Sequence, residues 1–248
     1  MKTKAIFIDL DGTLFNSKRE ISACNKKALE DIKARGYMPV ICTGRTIERV
    51  ISYQIDSVDY VIFNNGGGIL DAKNNKVIFE NLMKKSSVDA VRDLCKRKDI
   101  QVLTCNSAGG IVMLIPISAD YDLMRRIRPE ILAIPHVAIV NQSKIITDPN
   151  FPIDATFDDG VAFFDVVDKD SSKGNGITKF CEIMGIAKAD RIAIGDDLND
   201  LTMFDACGYN VAMGNAISEL KNRADFVADT NDNGGVAKFL KGLPDAQG

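Results

Sequence analysis

The sequence predicts an α/β protein, with a parallel sheet that is interrupted by an inserted α+β domain. Short, continuous apolar runs alternate with amphipathic helical segments in the first third of the chain, and the same alternation returns after residue 170. This alternation is typical of a parallel sheet with right-handed crossovers, because buried parallel strands are apolar on both faces. We therefore expect a core domain formed by residues 1–80 and 171–248, and an inserted domain formed by residues 81–170.

Three predicted strands in the first third each end in polar or glycine residues. These strands are residues 5–8, 38–42 and 60–63. A helix over residues 21–35, with Ser22 as its N-cap, joins the first two strands. A second helix, with Ile47, Val50 and Ile51 facing inward, joins the second strand to the third. Because parallel strands end at the same edge of a sheet, the residues that follow them are expected at the edge where ligands bind.

The inserted segment has the pattern of an α+β unit. Residues 69–79 contain two short apolar pieces around a polar centre, which predicts a hairpin that leads into the insert. An amphipathic helix is predicted over residues 87–98, and a second one over residues 119–128, stopped by Pro129. The predicted strands of the insert are residues 101–105, 110–116, 137–140 and 161–167.

The strand and helix alternation of the core resumes with a predicted helix over residues 173–184. The strands that follow are residues 191–194, 209–213 and 226–227. The first of them ends in an acidic run, Gly195 to Asp200, and the second ends in Gly214 and Asn215. We expect both endings to lie at the same sheet edge as the endings of the first three strands.

Composition argues against several classes of protein. The chain has 248 residues, a net charge of -3, 46% hydrophobic residues and 26% charged residues, as in an ordinary soluble globular protein. The acidic balance argues against a nucleic-acid partner, which usually meets a basic patch. The longest apolar runs are too short to span a bilayer, and the first run meets Asp9 too early for a signal peptide.

The cysteines and the histidine do not form a recognisable metal site. None of the six cysteines forms a Cys-x-x-Cys pair, and most lie in apolar segments, so reduced core thiols and a cytoplasmic location are expected. The single histidine, His136, cannot supply a histidine-rich site.

Two carboxylates follow the first buried strand. Asp9 and Asp11 stand at i and i+2 with Gly12 next, and such a pair repels unless a cation or a proton lies between the carboxylates. Oxygen ligands of this kind suit Mg2+. The alternative is that both aspartates only form a turn.

Three further strand and helix ends offer polar groups. Thr43 and Gly44 open a helix and could bind an anion, although a simple N-cap would look the same. Lys173 begins a helix, where the dipole disfavours a cation, so it could reach an anion or could be a solvated lysine. A run with Asp196, Asp197 and Asp200 follows a buried strand, which favours metal binding over a solvated acidic loop.

These four motifs resemble those of the haloacid dehalogenase-like superfamily, in the right order. Two more stretches, residues 212–216 and 229–236, resemble its Cof-type phosphatase branch, as does the stretch of Asn64, Asn65 and Gly66. The resemblance covers essentially the whole chain. It implies a Rossmann-like core with a cap domain of the C2B type, inserted between the second and third motifs where residues 81–170 fall.

The resemblance also implies a role for each matching residue. Asp9 would be the nucleophile and Asp11 the general acid and base. The phosphate would be held by Leu10, Thr43, Gly44, Lys173 and Asn199. The Mg2+ ligands would come from Asp9, the carbonyl of Asp11, Asp196 and Asp200, the last through a water. Candidate substrate contacts are Arg45, Asn65 and Gly66.

The function that follows is a Mg2+-dependent phosphatase acting on a small phosphorylated metabolite, such as a sugar phosphate. One alternative is a phosphomutase on the same scaffold, which would return the phosphate to its substrate. A second is a non-catalytic protein that binds a phosphorylated ligand. The sequence names neither the ester nor an oligomeric state.

Overall fold

A computed structural model describes residues 4–53, 55, 57–100, 102–107, 110, 112–140 and 161–246. The chain divides into two compact units. The core unit consists of Met1–Phe79 and Lys173–Gly248, and the inserted unit consists of Glu80–Ser172. Within the described ranges, no helix has both the length and the apolar character needed to cross a membrane.

The core unit is built on a sheet of eight strands, most of them parallel. The strands before the inserted unit are β1 (Lys4–Ile8), β2 (Tyr37–Cys42), β3 (Tyr60–Phe63), β4 (Gly68–Asp71) and β5 (Lys76–Glu80). Those after it are β10 (Arg191–Gly195), β11 (Tyr209–Ala212) and β12 (Phe226–Val227), and the numbers in between belong to the strands of the inserted unit. Their spatial order is β12-β11-β10-β1-β2-β3-β4-β5, and β4 runs antiparallel to β3. The predicted α/β class is therefore confirmed. Strand β1 lies between β2 and β10, so the carboxyl ends of all three meet.

The helices of the described residues follow the predicted alternation closely. They are α1 (Ala23–Ala34), α2 (Ile47–Ser52), α3 (Lys85–Arg97), α4 (Tyr121–Leu132), α5 (Lys173–Met184), α6 (Leu201–Ala206), α7 (Ser218–Arg223) and α8 (Gly235–Gly242). The hydroxyl of Ser22 accepts from the Asn25 amide, so the predicted N-cap of α1 is confirmed. The inward face predicted for the next helix was wrong at Ile51, which is 52% exposed. Helix α2 has six residues, and Val50 is the buried one.

The inserted unit packs α3 and α4 with an antiparallel sheet. Its strands are β6 (Cys105–Asn106), β7 (Val112–Asp120), β8 (Val137–Val140) and β9 (Val161–Asp168), in the spatial order β6-β7-β9-β8. An apolar cluster that includes Val91, Ile115, Ile127 and Val166 fills the space between helices and sheet. These side chains are fully buried.

Several boundaries predicted in the inserted unit were wrong. Strand β7 continues to Asp120, beyond the predicted end at residue 116, and it includes the residues at which the second helix was predicted to begin. Helix α4 does not stop before Pro129 but continues to Leu132. Proline removes one helical hydrogen bond, and burial of Ile131 in the next turn offsets that loss. The strand predicted over residues 101–105 is a two-residue strand, Cys105–Asn106, preceded by a single bridge from Val102 to Ile117. Gln101 lies outside the described residues.

Candidate active site

Asp9 and Asp11 occupy different environments although one residue separates them. The Asp9 amide donates to the Ile194 carbonyl at 3.0 Å, which continues the pairing of β1 with β10 past the end of the strand. The chain then turns at Gly12, whose φ is +81°. As a result the Asp9 side chain is 7% exposed and the Asp11 side chain is 48% exposed. The turn therefore produces one buried and one accessible carboxylate.

Gly12 permits this turn to approach the acidic run after β10. A Cβ atom on Gly12 would lie 2.3 Å from Oδ2 of Asp196, a distance that no real Cβ contact allows. The next residue contacts the same carboxylate: the Thr13 hydroxyl donates to Oδ1 of Asp196 at 2.9 Å. Thr13 was not among the candidate residues, although it directly follows the Asp-Leu-Asp-Gly motif.

Lys173 is buried rather than solvated. Its Nζ donates to Oδ1 of Asp9 and to Oδ1 of Asp200, both at 2.6 Å, and its side chain is 1% exposed. The start of α5 lies close to the start of α6 because residue 174 is glycine, where a Cβ atom would stand 2.1 Å from the Thr202 carbonyl oxygen. The alternative of a surface lysine is therefore wrong.

The acidic run after β10 divides into two kinds of aspartate. Oxygen atoms of Asp9, Asp196 and Asp200 all lie within 4.8 Å of one another. Asp200 also accepts from the amides of Asp196 and Asp197 through Oδ2, at 2.8 and 3.1 Å. Asp197 instead caps the short turn that follows, where its carboxylate accepts from the Leu198 amide. The acidic pattern by itself did not separate Asp197 from Asp196 and Asp200; the family resemblance did.

The electrostatics of this carboxylate cluster favour a cation. Burial raises the pKa of Asp9 to about 7, against the opposing effect of the Lys173 ammonium. Burial, followed by the charges of Asp9 and Asp200, raises the pKa of Asp196 to about 9. Burial alone would lower the pKa of Lys173, but the carboxylates of Asp200 and Asp9 raise it. One ammonium thus faces three carboxylates, and this oxygen donor set is compatible with a divalent metal ion.

Thr43 lies at the end of β2 and is fully buried. Its amide donates to the Ile62 carbonyl, and its hydroxyl accepts from the amide of Arg45 at 3.1 Å. The N-cap of α2 is Thr46, so the alternative of Thr43 as a simple N-cap is wrong. The structure leaves Thr43 and Gly44 in the loop that precedes α2, next to the end of β1.

Arg45 binds Asp11. Its Nε donates to Oδ2 of Asp11 at 2.7 Å and its Nη2 to Oδ1 at 2.5 Å, a bidentate pair. Its Nη1 donates to the Tyr53 hydroxyl. The guanidinium carbon lies 5.7 Å from the Phe15 ring centroid and 5.2 Å from that of Tyr53. Hydrogen bonding to Asp11 raises the pKa of Arg45. Neither Tyr53 nor this pairing was predicted from the sequence.

The remaining candidates surround the same sheet edge. Asn199 donates its side-chain amide to Oδ1 of Asn65 at 3.2 Å. Asn65 has a φ of +51° and donates its backbone amide to the Thr43 carbonyl, which ties the end of β3 to the end of β2. Gly66 is buried against Gly176 of α5. The side chain of Leu10 is fully buried, so only its backbone is a candidate to contact a ligand.

Comparisons with known proteins point to one family. A model of the haloacid dehalogenase-like hydrolases matches residues 6–126 and 130–240. The 5-amino-6-(5-phospho-D-ribitylamino)uracil phosphatase YwtE of Bacillus subtilis is 31% identical, covering 98% of this chain and 99% of that protein. The phosphoglycolate phosphatase of Archaeoglobus fulgidus is 29% identical, covering 98% and 97%.

Solved structures show the same fold. A haloacid dehalogenase-like hydrolase from Bacteroides thetaiotaomicron superposes with a TM-score of 0.81 at 23% identity, covering 97% of this chain and 99% of that one. A subclass IIB sugar phosphatase superposes with a TM-score of 0.78 at 23% identity, covering 96% and 98%.

Proposed function

The chain belongs to the haloacid dehalogenase-like hydrolases, and on that premise we propose that it is a Mg2+-dependent phosphatase of small phosphate monoesters. The observation that carries this proposal is the contact of the buried Lys173 ammonium with both Asp9 and Asp200, beside Asp196. A buried cluster with this charge imbalance is suited to a cation and a phosphoryl group together.

Asp9 is the proposed nucleophile. Its carboxylate oxygen attacks phosphorus, and the bond from phosphorus to the ester oxygen breaks, which leaves an aspartyl phosphate. Lys173 lies against Asp9 and offsets the repulsion between the carboxylate and the phosphate. Thr43, Gly44, Asn199 and the Leu10 amide are proposed to hold the phosphate oxygens.

Asp11 is the proposed general acid and base. It gives a proton to the departing ester oxygen, then takes a proton from the water that attacks the aspartyl phosphate. The second step breaks the bond between Asp9 and phosphorus and releases inorganic phosphate. The exposure of the Asp11 side chain, 48%, allows it to meet a leaving group that arrives from solvent.

Asp9, the Asp11 carbonyl and Asp196 are the proposed metal ligands. Asp200 already accepts from Lys173 and from two backbone amides, so we assign it to the orientation of the site and of a metal-bound water. When bound, Mg2+ supplies positive charge that stabilises the transferring phosphoryl group.

The inserted unit is the proposed cap, residues 81–170, and we propose that it selects the substrate. It lies in the chain between Thr43 and Lys173 and has an apolar core of its own. The names of the two relatives point to phosphorylated metabolites, among which a sugar phosphate is the proposed class. We also propose a cytoplasmic location, because Cys42, Cys95, Cys181 and Cys207 are buried thiols.

The test is release of inorganic phosphate from a panel of phosphorylated metabolites and an aryl phosphate. We expect activity with Mg2+, loss of activity with EDTA, and recovery when Mg2+ is added in excess. Full turnover in metal-free buffer would contradict the metal site. Conversion of one phosphate ester into its isomer, without phosphate release, would favour a phosphomutase. Ligand binding without turnover of any ester would favour a binding protein.

A further inference from the structure

Two stretches that resemble the family have no part in the proposed chemistry, yet they contact the loop that carries Asp11. These stretches are residues 212–216 and 229–236. The side-chain amide of Asn215 donates to the Gly12 carbonyl at 2.8 Å, and that of Asn231 donates to the Phe15 carbonyl at 2.9 Å. Both asparagines are more than 200 residues from their partners in sequence. The loop after the nucleophile is therefore held by the last part of the chain.

The two asparagines are also joined to each other. The backbone amide of Asn231 donates to Oδ1 of Asn215 at 3.0 Å. This contact determines the orientation of the Asn215 side chain, because a flipped amide would place a donor against a donor and an oxygen against the Gly12 oxygen. Asn231 thus directs the N–H of Asn215 toward Gly12.

The Gly12 carbonyl belongs to the peptide group that joins Gly12 to Thr13. Gly12 has a left-handed φ and no side chain, so the direction of this peptide group depends on the hydrogen bonds around it. The Asn215 amide contacts its carbonyl, the Thr13 hydroxyl that follows it donates to Asp196, and the Leu14 amide donates to the Asp9 carbonyl. The hydrogen bond from Asn215 therefore helps to set the direction of a peptide group that lies one residue beyond Asp11.

The exposure of Asn215 argues against a purely stabilising role. The residue is exposed, and an exposed neutral hydrogen bond exchanges readily with water and adds little to folding stability. Its effect on Gly12 requires that the amide stay ordered, and the hydrogen bond from the Asn231 amide to Oδ1 of Asn215 holds it in that orientation. We infer that Asn215 is a positioning residue for Asp11 in the proposed phosphatase reaction, and that Asn231 orients Asn215.

The inference rests on the proposed function, and the decisive readout is the dependence of kcat/KM on the leaving group. This ratio reports the steps up to the departure of the ester oxygen, whereas kcat also contains the hydrolysis of the aspartyl phosphate, in which Asp11 acts as the base for every ester. A displaced acid slows the departure of an alkyl oxygen, which needs a proton, more than that of an aryl oxygen. For Asn215→Ala we expect kcat/KM to fall roughly 10- to 100-fold on an alkyl phosphate, and less than about threefold on an aryl phosphate.

Asn215→Asp separates positioning from simple loss of a side chain. The carboxylate keeps an acceptor for the Asn231 amide but has no N–H for the Gly12 carbonyl. We expect it to show the same leaving-group effect as Asn215→Ala. Asn231→Ala keeps its backbone N–H, so it should be impaired less than either Asn215 variant.

Asp232→Ala is the matched control. Its exposed carboxylate accepts from the Ser17 amide at 2.7 Å, so it holds the far end of the same loop, away from Asp11. We expect wild-type kcat/KM on both esters. Equal losses on alkyl and aryl phosphates in Asn215→Ala, or wild-type behaviour of Asn215→Asp, would overturn the positioning role. If Asn215→Ala does not fold, the alkyl-to-aryl activity ratios of Asn215→Asp and Asn231→Ala decide whether Asn215 is a positioning residue. A wild-type protein without phosphate release would instead overturn the proposed function.

Discussion

Both units bury apolar side chains and some aspartates, but among the described residues it is the core unit that joins a buried lysine to two buried carboxylates. In the core unit, the buried groups at the end of β1 include a lysine and two aspartates in direct contact, Lys173 with Asp9 and Asp200. In the inserted unit, the space between helices and sheet is filled by an apolar cluster that includes Val91, Ile115 and Ile127. Buried charges cost desolvation free energy, whereas buried apolar side chains stabilise. In the core unit, the buried charged side chains that cost desolvation free energy thus lie at the candidate active site.

The first turns of two helices show the same contrast. Helix α4 follows Asp120, whose carboxylate accepts from the Leu123 amide at 2.9 Å, as expected where the helix dipole favours a negative charge. Helix α5 begins with Lys173, a cation where the dipole is unfavourable. The carboxylates of Asp9 and Asp200 hold it there. The inserted unit thus has a favourable negative charge at the start of α4, whereas the core unit has an unfavourable positive charge at the start of α5, where the candidate active site lies.

Asp9→Asn should produce the largest change, because it removes the nucleophile from the core unit. We expect phosphate release to fall at least about a thousandfold while the fold persists. Asp120→Asn makes the same exchange at an exposed helix cap of the inserted unit, where asparagine also caps, and should stay near wild type. Phosphate release by Asp9→Asn near the wild-type rate would contradict the role of Asp9 as nucleophile, and with it the assignment of the chemistry to the core unit.

Asp11→Asn should give the next largest effect. We expect a loss of about 100- to 10,000-fold on alkyl phosphates, because proton transfer to the leaving oxygen is lost. The loss should be smaller on aryl phosphates, whose oxygen leaves without a proton. Steady-state kcat/KM on both ester classes measures the difference, because it excludes the later hydrolysis of the aspartyl phosphate, and equal losses in kcat/KM would argue against the acid role.

Ile127→Ala tests the inserted unit. The fully buried Ile127 belongs to the apolar cluster, so truncation should destabilise this unit by about 2–5 kcal/mol. Aryl phosphate hydrolysis should persist at temperatures where the variant is folded, while the preference among metabolite esters changes. Denaturant unfolding and activity measured on one sample provide the test. Complete loss of aryl phosphate hydrolysis in the folded variant would place part of the chemistry in the inserted unit.

Asp196→Asn in metal-free buffer tests how the stability depends on pH. The folded pKa of Asp196 is about 9, above the ordinary value of 3.8, so the folded state binds the extra proton. Stability should therefore fall as the pH rises from about 5 to 9, by at most about 1.4 kcal/mol per pH unit for this group. Replacement of Asp196 by asparagine should make the free energy of unfolding depend less on pH. An unchanged slope of the free energy of unfolding against pH would show that Asp196 ionises normally.

Local patterns were sufficient to predict much of the fold and the four motifs. Apolar runs identified the central strands, and Ser22 identified the start of α1. Local patterns failed where packing overrides propensity. Helix α4 continues through Pro129 because the next turn buries Ile131, and Ile51 faces solvent because α2 is short.

The sequence by itself determined which residue types follow each parallel strand, and a parallel sheet brings such endings to one edge. That physical rule was enough to group Asp9, Thr43 and Asp196, whereas Lys173, at the start of a predicted helix, joined them through the family resemblance. Only the tertiary structure decided which partners surround this group, because Arg45 and Asp11 are 34 positions apart, and Asn215 and Gly12 are 203 positions apart. The pairing of Arg45 with Asp11 and of Asn215 with Gly12 depends on the distances and orientations of folded loops, which no local pattern encodes.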